Sequence, residues 1–271
     1  MSRSKVLLLG AGESCEMLSR PVATTRGRAL PFAGKTLLSL YGGVGHCCIA
    51  VSQGGGDACL VDLAKNKDND LSRPCVAQEV ASVVTNFDCL GIDICCNTWS
   101  RARRAPVWSS MPSALRSNLQ LMGLPGLNDR DSNTVRLHNY MYRKAIKYAE
   151  NSLSAGKSGW IENPRTSMLW KTAGVRKLLR LGAVFVDAHF CQYGCPYKKA
   201  TRFLVWGPHR HRVVLSQCCG RKGICSRTGR KHIELTGLHR GVFHTSAAQV
   251  YPLQLCRSLM SQLIGDNATA P

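Results

Sequence analysis

The sequence predicts an α/β fold with a doubly wound open sheet and helices on both faces, and three observations carry that prediction. Short apolar runs of strand length alternate with stretches of helical periodicity, as in chains that lay helices over a parallel sheet. A glycine-rich turn follows the first firm strand candidate. The chain has 271 residues, enough for one such domain with a small appendage.

The elements follow in order. Residues 1–34 show scattered basic positions and Pro21, Gly27 and Pro31, and read as an N-terminal extension. Val6–Leu9 is a strand candidate there, and Gly10-Ala-Gly12 is only a fragment of a dinucleotide fingerprint, because Cys15 takes the place of its third small residue. Thr36–Leu40 reads as a buried strand, Gly42–Gly45 as a turn and Cys47–Val51 as the start of a helix. Ala58–Asp62 is the next strand, Val76–Val84 a helix and Cys89–Cys96 a third strand. Val135, Tyr142, Ile146, Ala149 and Leu153 recur at helical spacing between Asp131 or Ser132, as N-cap, and Gly156, as stop. Trp160-Ile161 then forms a strand ending at Glu162-Asn-Pro164, Thr172–Leu181 a helix, and Ala183–Ala188 and Arg202–Trp206 two further strands. Residues 207–244 break this rhythm as a small Cys/His-rich insertion, after which Pro252–Leu263 resumes a helix and 265–271 form a tail. The folded domain is thus expected over residues 35–264.

Apolar residues make up 44% of the chain and charged ones 19%, which suits a packed core and excludes a wholly disordered chain. Lysine and arginine total 36 against 16 acidic residues, a formal charge of +20. That exceeds what solubility asks of one domain and points to a polyanion such as nucleic acid. No apolar run approaches the ~18–20 residues of a membrane span, and Val6–Leu9 is too short for a secretory core. The expectation is an intracellular protein, in the nucleus of a eukaryote or otherwise the cytoplasm, with its 14 cysteines reduced and no membrane partner.

Three segments carry candidate chemistry. Gly42, Gly43 and Gly45 let a backbone turn approach a nucleoside-like ligand, and Asp62, ending the next strand, can accept from ribose hydroxyls, although such turns also serve purely as connections. Cys95 and Cys96 end the third strand where α/β proteins hold ligands; arginines follow at 101, 103 and 104, so a thiolate there could attack an electrophilic carbon, or the pair could be buried and inert. Glu162 ends another strand and could act on a heterocycle or simply sit in a turn.

In this order the three segments resemble the cytosine-5 DNA methyltransferase family. Ser39-Leu-Tyr-Gly-Gly-Val-Gly45 is similar to its D-L-F-x-G-x-G-G motif, with His46 in place of the last glycine. Cys95-Cys-Asn-Thr-Trp-Ser-Arg-Ala-Arg103 is similar to P-C-Q-x-F-S-x-A-G, and Glu162-Asn-Pro164 to E-N-V. Tyr193–Arg202 resembles Y-G-V-P-Q-x-R-x-R, and Ser246–Pro252 resembles G-N-S-V-P. The C-N-T-W-S-R-A-R, E-N-P-R and K-K-A-T strings look closest to the compact branch carried by mobile elements.

The resemblance implies a Rossmann-like methyltransferase sheet and transfer of a methyl group from S-adenosylmethionine to C5 of cytosine in DNA. It implies Cys96 as nucleophile with Glu162 and Asn163 as catalytic partners, and Leu40, Tyr41, Gly42, Gly43, Gly45, Asp62 and Asp70 against the cofactor. Ser100, Arg101, Arg103, Arg104, Arg165, Lys198, Lys199 and Arg202 become candidates for nucleic-acid contact, with Trp99, Trp108 and Tyr197 as stacking surfaces, and a monomer is expected. The target base would be rotated out of the stack. Cys95 for the family's proline, Asn97 for its glutamine, and Tyr197 and Lys199 in the later motif leave two other readings: a nucleic-acid-binding protein of this fold without turnover, and an RNA cytosine methyltransferase. In the insertion, Cys218, Cys219, Cys225 and His232 have spacings compatible with tetrahedral zinc, with His209 and His211 as alternates; the competing reading is free thiols and solvated histidines.

Overall fold

The computed structural model describes residues 30–100, 113–235, 238–239, 242–243 and 248–265. Residues 1–29, the candidates Arg101, Arg103, Arg104 and Trp108, and the tail from 266 lie outside them.

Six strands, β1 (Thr36–Leu40), β2 (Asp57–Val61), β3 (Cys89–Ile92), β4 (Ser158–Pro164), β5 (Val184–His189) and β6 (Ala200–Trp206), form one sheet in the order β2-β1-β3-β4-β6-β5. Alternation along each strand feeds two cores. Leu37, Trp160, Phe203 and Val205 point to one face; Leu38, Leu40, Ile161, Leu204 and Trp206 point to the other. Both faces are therefore apolar, and each is covered by helices. Helices α1 (His46–Gln53) and α5 (Leu253–Leu263) cover the first through Val51, Leu255, Leu259 and Leu263. Helices α2 (Pro74–Val83), α3 (Asp129–Ser154) and α4 (Ala173–Arg180) cover the second through Val80, Ile146, Ala149, Val175 and Leu178. The expected doubly wound arrangement is present. Gly91 lets the sheet accept a large ring, since a Cβ there would lie 2.2 Å from Trp160 Cζ2.

The sheet is mixed, where the alternating pattern implied a parallel one. β1, β2, β3 and β4 are parallel, and β6 runs antiparallel between β4 and β5. Only residues 190–199 join β5 to β6, with a single 3-10 turn at Phe190–Tyr193. That link is too short for a helical crossover of a dozen or more residues, so the chain turns straight back.

Three further boundaries differ from expectation. Asn128, not Asp131 or Ser132, caps α3: its Oδ1 accepts from the Asp131 N–H at 2.8 Å, placing Asp129 and Asp131 in the first turn where the helix dipole favours them. β3 stops at Ile92, so Asp93–Cys96 form a loop. Phe32 is buried in the first core and bonds Gly54 O through its N–H at 2.9 Å, so residues 30–34 belong to the folded body and not to an extension. The insertion is irregular as expected, apart from a two-stranded ribbon of β7 (Leu238–His239) and β8 (Val242–Phe243).

The chain moves from β1 outward to β2, then crosses to β3 on the opposite side of β1. The carboxyl ends of β1 and β3 therefore part at a topological switch point, where α/β sheets open a ligand crevice.

Candidate active site at the switch point

The turn after β1 builds the first wall. Tyr41 adopts a left-handed φ of 59°, costly for a bulky residue, and Gly43 (57°) and Gly45 (80°) share that region. A Cβ at Gly43 would meet nothing within 4 Å, so backbone conformation, not crowding, calls for glycine there. Asp62 fixes the turn: its Oδ2 accepts from Gly43 N–H and its Oδ1 from Ala64 N–H, each at 2.8 Å. Each oxygen keeps acceptor capacity for a ligand hydroxyl. The Ser39 and Tyr41 hydroxyls are buried here without a hydrogen-bond partner among the described residues, and burial pushes the Tyr41 phenol far up.

The second wall is the loop after β3. Asp93 N–H donates to Leu40 O at 3.0 Å, and Asn163 Nδ2 donates to Ile94 O at 2.8 Å. Trp99 and Ser100 N–H groups close onto Cys96 O at 3.0 and 2.8 Å. Arg116 braces the loop from behind. Its guanidinium sits 3.6 Å above the Trp99 ring and donates to Thr98 Oγ1, Asn139 Oδ1 and Leu121 O at 2.9, 2.7 and 2.6 Å. These acceptors are all neutral, and burial lowers the Arg116 pKa to about 10.

β4 and the approach to β6 supply the charged groups. Glu162 is buried, and its Oε1 accepts from Thr201 Oγ1 and pairs with Lys199 Nζ at 3.4 Å. Lys199 also lies 4.6 Å from the Phe190 ring centroid. Asp93 Oδ1 accepts from Tyr251 OH at 2.6 Å and from Trp160 Nε1 at 3.1 Å. Burial, then the Glu162 charge, push Asp93 up to about 7 despite those donors. Burial, then Glu162 and Cys95, push the Cys96 thiol up to about 11, with Lys199 pulling the other way. At rest Cys96 is a thiol.

These walls enclose a cleft of about 790 Å³, within the usual range for small-molecule sites. It is lined by Tyr41, Gly42, Gly43, Gly45, Asp62 and Asp70 at one end and by Asp93, Cys96, Glu162 and Lys199 at the other. No family model and no curated protein matches this chain.

The candidate residues thus divide. Leu40 is wholly buried beneath the turn, and Asn163 is buried outside the lining, holding the Cys96 loop from behind. Asp70 lines the cleft and accepts from Ser72 N–H at 2.9 Å. Arg202 grips Asp187 with two donors at 2.6 and 2.9 Å, and Arg165 reaches the same carboxylate at 3.1 Å. Lys199 is a cleft residue, whereas Lys198 donates to Cys218 O at 3.3 Å. Trp99 is fully buried under Arg116 and is no stacking surface. Ser100 is half-buried at the end of the described loop.

Asp93 and Arg116 fall in no motif, and Tyr251 and Thr201 lie within motif stretches that assign them no role. Asp93 could have been noticed as a carboxylate between apolar strand residues and a cysteine pair. Arg116 had no local signal, because its partners come from three separate segments.

A second cluster lies off the cleft. One ligand atom from each of Cys191, Cys218, Cys225 and His232 falls within 4.8 Å of the others, a group that could hold a metal ion. Cys219, expected in this set, is exposed outside it, and its place is taken by Cys191 from the turn after β5. Adjacent residues cannot easily point two side chains at one centre, and the chain turns Cys219 outward. Burial raises Cys218 and Cys225, but N–H donors from Ser226 and Gly220 to the first, and from Arg227 and Thr228 to the second, outweigh it and bring both to about 7. No described helix is long and apolar enough to cross a membrane.

Proposed function

We propose that the chain transfers a methyl group from S-adenosylmethionine to C5 of a cytosine in DNA. The observation that carries this reading is the convergence on one switch-point cleft of a glycine turn with its aspartate, a cysteine and a buried glutamate, in the order of the family motifs. The residues present suit the donor. Gly43 leaves open space beside the backbone, Asp62 retains acceptor capacity, and the Ser39 and Tyr41 hydroxyls, without a partner among the described residues, await polar atoms. When bound, the sulfonium donor supplies an electrophilic methyl group.

The protein's share of the chemistry follows from the other end of the cleft. Cys96 Sγ, once deprotonated, adds to C6 of the ring. Glu162 shares a proton with N3 and so accepts the charge this addition creates; Thr201 and Lys199 both hold its Oε1, which leaves Oε2 for the ring. C5 then gives up its electrons to the methyl group as the S–CH3 bond breaks to leave the neutral thioether, its proton passes to water, and Cys96 departs as thiolate by elimination. Asn163 and Arg116 act on the loop that aims the thiol. A base in a duplex cannot reach a half-buried thiol, so it must be rotated out. The +20 charge supplies affinity for the strand.

The high thiol pKa favours one other reading, a binding protein of this fold without turnover. Labelled S-adenosylmethionine with DNA or RNA separates them. Label in DNA supports the proposal, label in RNA moves the substrate class, and salt-sensitive binding without label leaves only binding. Covalent trapping on a 5-fluorocytosine oligonucleotide should vanish in Cys96→Ala; trapping that survives moves the nucleophile. The Cys/His cluster does not line this cleft, and zinc is its proposed occupant.

A further inference from the structure

Three thiols, Cys191, Cys218 and Cys225, form a buried group of their own, separate from both hydrophobic cores. His232 completes the set, with Nε2 3.8 Å from Cys218 Sγ. In a tetrahedral zinc site, Zn–S of ~2.3 Å and Zn–N of ~2.0–2.1 Å place sulfurs about 3.8 Å apart and sulfur about 3.6 Å from nitrogen. The observed group, within 4.8 Å throughout, needs to close by about 1 Å at most to meet that geometry.

The surroundings are those of a thiolate site. Ser226 N–H and Oγ–H point at Cys218 Sγ at 3.4 and 3.6 Å. Gln192 Nε2 reaches Cys191 Sγ at 3.5 Å and Cys225 Sγ at 3.7 Å, so one amide serves two sulfurs. Such outer donors orient ligands and spread their charge. The set of three soft sulfurs and one imidazole selects zinc over hard cations.

The loop also buries little apolar surface of its own. Between Ser216 and Ile233 the buried side chains are Cys218 and Cys225, while Arg221, Lys222, Arg227, Arg230 and Lys231 are all exposed. A segment with so little apolar surface needs a staple. Its attachments lead toward the cleft: Ile233 N–H donates to Pro196 O at 2.9 Å and Lys198 Nζ to Cys218 O at 3.3 Å, immediately before the Lys199 that pairs with Glu162.

We propose that Cys191, Cys218, Cys225 and His232 bind one zinc ion, which pins the basic 216–233 loop to the turn after β5 and braces the Pro196–Lys199 segment beside the cleft. Zinc binding stands on this geometry alone, whereas a role for the loop's cations against a nucleic-acid strand rests on the reading above.

The test is metal content of the reduced full chain, purified without chelator, by inductively coupled plasma mass spectrometry, with cobalt substitution as a second readout. The expected result is about one zinc per chain, lost in Cys191→Ser and His232→Ala, retained in Cys219→Ser and restored by His232→Cys. Cobalt in the wild-type chain should show intense tetrahedral d–d bands with thiolate charge transfer, and this readout stands even where a variant is insoluble. Wild-type protein with neither zinc nor the cobalt spectrum overturns the proposal. So does a disulfide between two of these thiols in the protein purified under reducing conditions, or loss of zinc in Cys219→Ser equal to that in Cys191→Ser. Neither S-adenosylmethionine nor nucleic acid enters the measurement, so its failure is distinct from failure of the methyl-transfer reading.

Discussion

Glu162→Gln should make Cys96 more reactive, not less. The thiol is held at about 11 by burial first and the Glu162 carboxylate second, with Lys199 opposing. At about pH 8 such a thiol is only ~0.1% thiolate, against ~24% for a free thiol peptide of pKa ~8.5, so the reactive fraction is ~200-fold smaller and alkylation correspondingly slower. Its rate should climb about tenfold per pH unit up to about pH 10. Removing the carboxylate deletes a like charge and frees Lys199 from its 3.4 Å ion pair to face the sulfur. A drop of ~0.5–1 pKa unit follows, which is a ~3–10-fold faster reaction at fixed pH. Lys199→Met should slow it by a similar factor. The assay is timed iodoacetamide labelling with peptide mass mapping in a Cys95→Ala background, which removes the neighbouring thiol from the same peptide. A Glu162→Gln rate that is unchanged or lower, or a labelling rate flat between pH 7 and 10, refutes the electrostatic account.

Two further outcomes follow from the same groups. Asp93 is raised to about 7 from an unfolded value of ~3.9, so the folded state binds its proton more tightly and stability falls as pH rises through that window. Urea denaturation should show wild type losing about 2–3 kcal/mol more than Asp93→Asn between about pH 5 and 8, and equal slopes count against a buried, protonatable Asp93. Arg116→Met deletes three hydrogen bonds from a charged donor but also removes the burden of burying it, for a net loss of ~2–3 kcal/mol. Calorimetry should read this as a Tm lower by about 4–10 °C, and a change under about 1 °C would mean the guanidinium does not brace the Cys96 loop.

How much of this was legible in the sequence depends on whether the signal was local. β1, the glycine turn, α1 and Asp62 could be read because an apolar run, a cluster of glycines and a strand-ending carboxylate sit within one βαβ stretch. Cys96 and Glu162 could be read for the same reason. The reversal of β6 could not, since an apolar strand buried on both faces has the same pattern in either direction, and only the short 190–199 link separates the two. Cys191 stands well before Cys218 in the chain, on the far side of β6, so spacing favoured the adjacent Cys219. Arg116 resembles any surface arginine until Trp99, Thr98, Asn139 and Leu121 close around it.

The charge of the cleft is opposite to that of the chain. The molecule carries +20, yet the lining sets Asp62, Asp70, Asp93 and Glu162 against Lys199. A polyanion is attracted to the outside, while the inside favours a small cation, and the Glu162 charge that adds to burial in raising the Cys96 thiol would be offset by a positive ligand. A cationic, non-transferring analogue of S-adenosylmethionine should therefore speed labelling of Cys96 at about pH 8 relative to neutral S-adenosylhomocysteine, by ~3–10-fold if the positive centre lies near the sulfur. Both ligands cover the same surface, so shielding cancels in the comparison and charge alone differs. Equal rates with both bound would separate the ligand's positive centre from Cys96 and remove the electrostatic link between the two ends of the cleft.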